Sequence, residues 1–220
     1  MGRKETSLAG VIKRSQIPRV RTERRIYDLI GLIVASALLV LTALPIDEND
    51  ISALETDAFL WLNDLSGVIF RPVWVVMQLG NLLVVPATVI IALILRRFRL
   101  AAATALVGSF VWFLAKVVKQ IVPRGRPAEL LNDVVLRDAP AAGNGYISGH
   151  AAMVLALVAS ASPYLSRRAQ LLAWLLGMLV CLARVYVGAH LPLDVIGGAA
   201  FGWALGSLVN LLLGVPTAQR

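Results

Sequence analysis

The chain has 220 residues, 58% of them hydrophobic and only 15% charged, with a mean hydropathy of +0.77. Soluble domains run at roughly 45–50% apolar and about 25% charged, and the shortage here falls in long uncharged stretches, as a bilayer demands. A net charge of +8 would direct attention to nucleic acid in a soluble chain, but here its distribution reads as membrane orientation, so no nucleic-acid partner is expected. The single cysteine, Cys181, excludes an internal disulfide, and one Cys with two His cannot assemble the usual ligand set of zinc.

In chain order, residues 1–25 read as a basic cytoplasmic tail. Ile26–Leu44 is a first span, too long and too extensively flanked by basic residues for a cleaved signal. Ile51, Leu54, Phe59, Leu62 and Leu65 then recur at helical spacing among Glu55, Asp57 and Asp64, which predicts a short helix in the interface with Trp61 at headgroup level. Val73–Leu95 is a second span, kinked at Pro86, in which Gln78 and Asn81 serve helix–helix contact. Leu100–Val122 is the third, and its end carries Lys116 and Lys119. A Pro-, Gly- and charge-rich loop over 123–146 follows. Gly149–Leu165, Gln170–Val187 and Leu193–Val215 are spans four to six, and 216–220 is a short tail. The expectation is an all-α membrane bundle of six transmembrane helices plus the interfacial helix, a single domain over 26–215. The larger share of Lys and Arg falls on the side of the N-terminus, which predicts both termini in the cytoplasm of a cell inner (plasma) membrane protein.

Three segments then fall on the opposite, extracytoplasmic face: Lys119 to Pro127, Ser148-Gly149-His150, and Arg184 to Asp194. Lys119, Arg126 and Arg184 bring three cations to one place, and Arg offers a planar fork that matches phosphate oxygens. Ser148 and Gly149 stand at a helix N-terminus, where free N–H groups and the dipole favour an anion. His150 and His190 are the only two histidines in the chain, and both belong to this set. Asp194, four residues after His190, would orient one imidazole nitrogen and leave the other free to attack, while His150 would protonate the leaving oxygen. These parts describe phosphoryl transfer through a phosphohistidine.

The pattern K-x6-R-P, S-G-H, R-x5-H-x3-D resembles the type-2 phosphatidic acid phosphatase superfamily, which shares its site with vanadium haloperoxidases. The motifs cover residues 119–194. The resemblance implies phosphate binding by Lys119, Arg126 and Arg184 with help from Ser148 and Gly149. It implies His190 as nucleophile, Asp194 as its partner, His150 as acid, and no metal or other cofactor. Ile147 stands where the family has Pro, which predicts a looser approach to Ser148; Ala183 stands where it has Ser and removes a hydroxyl.

In the loop, Arg124 reads as a solvated surface charge, and Glu129, Asp133, Arg137 and Asp138 as a polar loop surface. Lys116 is left out of the site. The expected partners are the bilayer and a membrane lipid phosphate or pyrophosphate, hydrolysed at the outer ends of spans three to six. The rival readings are a lipid phosphotransferase and a carrier or scramblase without chemistry. Oligomeric state is left open.

Overall fold

The computed structural model describes residues 22–48 and 50–217, so most of the expected N-terminal tail and the last three residues lie outside it. Among the described residues the chain is mostly helical. The helices are α1 (Ile26–Ala43), α2 (Ala53–Asn63), α3 (Phe70–Met77), α4 (Val84–Ile94), α5 (Phe98–Ile121), the single turn α6 (Pro127–Leu130), α7 (Gly149–Ala161), α8 (Arg167–Tyr186) and α9 (Pro192–Leu213). Local chemistry sets several boundaries. Ser52 Oγ accepts from Glu55 N–H at the start of α2, and Ser166 Oγ from Ala169 N–H at the start of α8. Pro192 opens α9, where its missing N–H and fixed φ suit a first turn.

Helices α1, α5, α8 and α9 are long and apolar enough to cross a membrane. Helix α2 and the segment Gly67–Gly80 qualify only as one unit bent by 69°, so length and composition support four spans, or five with the bent pair. The interfacial helix expected by itself is thus one arm of that pair. The expected second span is also interrupted. Helix α3 runs through a 3-10 turn to Gly80, the chain breaks at Asn81–Leu83, and α4 begins at Val84. Pro86 is not the cause, because it sits in the first turn of α4, where no hydrogen bond is lost. Gln78 and Asn81 serve the break instead of a neighbouring helix. Leu83 N–H donates to Asn81 Oδ1 at 3.1 Å, and Gln78 Nε2 to Trp74 O at 3.2 Å.

Helix α7, the expected fourth span, has 13 residues, and every residue from Ala151 to Ser160 is buried. It is sheathed by α5, α8 and α9 rather than by lipid. Its contact with α9 is backbone to backbone. Gly198, Gly202 and Gly206 recur every fourth residue along α9, and a Cβ on Gly202 would overlap Ala152 O. Around this core, Ile33, Leu41, Ile91, Ile94, Leu171 and Leu175 point outward and exposed, an apolar jacket suited to lipid.

Two residues at each end close the bundle. Thr22 and Glu23 pair antiparallel with Pro216 and Val215, and Arg24 Nε donates to Leu211 O at 3.0 Å. Both ends of the described chain therefore lie on one face. Helix α9, at 22 residues, carries the chain from its first turn to that face over about 33 Å.

Candidate active site

The end of α3 with the turn after it, the first turn of α7, the last turns of α5 and α8, the α8–α9 connection and the loop from 122 to 148 meet at the end of the bundle remote from the described termini. They enclose a cavity of about 440 Å³ bordered by Lys119, Arg126, Gly149, His150, Arg184 and His190. Six of the eight residues picked from the motifs thus face one space. Ser148 and Asp194 lie directly behind it, both fully buried.

Each cation is held by groups that leave donors over. Lys119 Nζ donates to Asn144 O at 2.7 Å and Gly145 O at 3.3 Å, the carbonyls just before the Ser-Gly-His turn. Arg126 Nη1 donates to Ala189 O at 2.7 Å, next to His190. Arg184, at the buried end of α8, reaches only the sulfur of Met77, a weak acceptor, at 3.0 Å. The Nε of Arg126, the Nε of Arg184 and the hydroxyl of Ser148 are buried and have no protein partner. Unpaired buried donors are costly, and here the two guanidinium groups border the cavity, where an anion would satisfy them.

His190 lies between α8 and α9 and is 3% exposed. Its Nδ1 is 3.7 Å from Asp194 Oδ2, within ion-pair range but beyond a hydrogen bond. That orientation leaves Nε2 as the nitrogen free to react. Burial first, and then the Arg184 and Arg126 charges, hold the imidazole down at about 4 against the pull of Asp194, so it is neutral at pH 7. Asp194 has other duties as well. Its Oδ2 accepts Leu191 N–H at 2.9 Å, capping α9, and its Oδ1 accepts Arg124 Nη1 at 3.1 Å.

Arg124 overturns the reading of a solvated charge. It is 2% exposed and forks onto Glu55, with Nη2 at 2.6 Å from Oε2 and Nη1 at 3.1 Å from Oε1. Burial disfavours its charge, but the Glu55 hydrogen bonds and the Asp194 and Glu55 carboxylates outweigh this and raise its pKa. Glu55 also accepts Leu193 N–H at 2.9 Å. A chain of charges therefore runs Glu55–Arg124–Asp194, ends beside the neutral His190, and ties α2 to α9. The sequence held one signal for it: Glu55 shares a helical face with Phe59 and Asn63, both fully buried, where an unpaired acid would be costly.

The polar loop is also more than surface. Arg137 donates to Asn63 O, Tyr186 O and Leu65 O at 2.7–2.8 Å and stacks on the Tyr186 ring. Glu129 accepts the N–H groups of Arg126 and Gly143. Asp138 borders the cavity and accepts Trp74 Nε1 at 2.8 Å. Ile147 precedes Ser148. It is wholly buried in the core with Val111, Ala152 and Phe201, and anchors the turn by packing. Ala183 packs with Met77, Tyr186 and Val187.

The sequence profile of the PAP2 superfamily matches residues 96–215, more than half of the chain. The chain belongs to the PAP2 superfamily. An undecaprenyl-diphosphatase of Sulfolobus acidocaldarius is 36% identical over 134 residues, 58% of this chain and 60% of that protein, so this PAP2 chain spans about 60% of the curated relative's length. Two solved PAP2 structures share the fold. The crystal structure of Aquifex aeolicus LpxE superposes with a TM-score of 0.68 at 24% identity, covering 74% of this chain and 98% of that one. The PAP2-type phosphatidylglycerolphosphate phosphatase from Bacillus subtilis gives 0.69 at 22% identity, covering 82% and 94%.

Proposed function

We propose that this protein is an integral membrane phosphatase that hydrolyses a lipid phosphate or diphosphate through a phosphohistidine, without a metal cofactor. One observation carries the reading: buried, partly unpaired guanidinium donors of Arg126 and Arg184 converge on the cavity that holds both histidines. The name of the Sulfolobus relative favours a polyprenyl diphosphate among the lipid substrates.

In this mechanism Lys119, Arg126 and Arg184 take the equatorial phosphate oxygens, with the N-terminus of α7 at Ser148 and Gly149. His190 Nε2 attacks phosphorus, and Asp194 steadies the imidazolium character that develops. The bond to the leaving oxygen breaks, and its electron pair stays with the lipid, protonated by His150 where the leaving group is an alkoxide. Water then attacks the phosphohistidine as His150 takes its proton, the N–P bond breaks with its electron pair returning to His190, and inorganic phosphate leaves. Fixed cations supply the charge stabilisation that metals supply elsewhere. The site belongs at the extracytoplasmic face of the cell membrane, opposite two cytoplasmic termini.

The test is phosphate release by detergent-purified protein from lipid phosphates and diphosphates, with excess EDTA and with His190→Ala in parallel. Release that survives EDTA and falls by on the order of a thousandfold or more in the variant is the expected result. Release abolished by EDTA refutes the metal-free mechanism. Lipid transport by a folded His190→Ala protein, with no hydrolysis by the parent, favours a carrier.

A further inference from the structure

A second cavity, of about 340 Å³, opens from the first and shares Lys119, Gly149 and His150 with it. It contains His150 but not His190. In an in-line displacement the leaving group departs on the side away from the nucleophile. With His190 as nucleophile and His150 as the group facing the departing oxygen, the second cavity is the space into which the leaving group extends. Its floor is apolar, formed by Leu82, Val111, Trp112, Ala115 and Met153, as a lipid chain requires.

Only two further polar side chains border it, Asn81 and Lys116. Asn81 is engaged at the start of α4, bonded to Leu83 N–H and to Gln78. Lys116 lies one turn before Lys119 on α5, so the two share a face. Its Nζ sits 3.3 Å from the centroid of the Trp112 ring, and it pairs with no carboxylate among the described residues. A cation–π contact fixes an ammonium while leaving its N–H groups free for an anion.

We propose that Lys116 binds the second phosphate of a lipid diphosphate and thereby makes the site selective for diphosphates over monophosphates. The order along the reaction axis is then His190, the terminal phosphorus, the bridging oxygen at His150, the second phosphate at Lys116, and the lipid chain over Trp112 and Leu82. The Nε2–P bond forms as the bridging P–O bond breaks. The electron pair stays with the departing lipid monophosphate, whose extra negative charge Lys116 offsets. A lipid monophosphate leaves as an alcohol and presents Lys116 with no such charge. This inference rests on the phosphatase reading given under the proposed function.

The experiment compares kcat/KM for a polyprenyl diphosphate and for the monophosphate of the same chain length, in the parent protein, Lys116→Gln and Lys116→Arg. Lys116→Gln is expected to lower the diphosphate-to-monophosphate ratio by on the order of tenfold, the usual worth of one charge-assisted hydrogen bond. Lys116→Arg is expected to restore most of it. An unchanged ratio in Lys116→Gln overturns the assignment, and so does a parent protein that cleaves only the monophosphate. Failure of the parent to cleave either lipid overturns the phosphatase reading itself.

Discussion

Arg124 places a guanidinium where a lone charge would be costly, and two carboxylates answer it. Its side chain is 1% exposed, that of Glu55 5% and that of Asp194 0%. Removing one member of such a buried set leaves the others uncompensated, at about 3–5 kcal/mol. Arg124→Ala is therefore expected to lower unfolding stability by about that much, read from denaturant melts in micelles, and Arg124→Lys to restore only part because an ammonium cannot fork onto Glu55. The same surroundings set the pH response. With its pKa lowered to about 4, His190 stays neutral above that value and becomes protonated, and unable to attack, below it. The acid limb of kcat/KM, after correction for the substrate's own phosphate ionisation, is expected near pH 4 rather than near the usual histidine value of about 6.5. The three motifs made the cradle and both histidines legible because each is a short local pattern. The partner of Glu55 was hidden, since Arg124 lies 69 positions along the chain on another element.

At the scale of elements, two contacts of small residues place the chemistry. Gly80, at the end of the interrupted second span, lies so close to His150 that a Cβ would come within 2.8 Å of its carbonyl oxygen. The break thus delivers a turn of backbone against His150. No apolar run announces such a break; hydropathy reports affinity for lipid and is silent about a few residues of irregular backbone sheltered by protein. The other contact is the α7–α9 seam. Gly202→Val is expected to force the two helices apart and destabilise the fold by about 1–3 kcal/mol, the usual range for overpacking, seen as a lower unfolding temperature. Displacement of α7 carries Ser148 and His150 with it, so activity is expected to fall before the protein unfolds.

At the scale of the whole molecule, the bundle surrounds a helix that its neighbours shield from lipid. The long helices α1, α5, α8 and α9 were visible as apolar runs with few charges. Helix α7 was not distinguishable from them, because a helix buried in protein and a helix buried in lipid require the same apolar side chains. Its 13 residues suffice because it is buried along its length from Ala151 to Ser160 among other helices. The pairing of Thr22–Glu23 with Val215–Pro216 has a consequence for how the chain is ordered. With its first and last helices stitched together, the fold is close to a ring, and the covalent starting point matters little to its interior. A rearranged gene that joined these neighbours and opened the backbone at the Leu95–Arg97 turn would keep every helix beside the partners it has now.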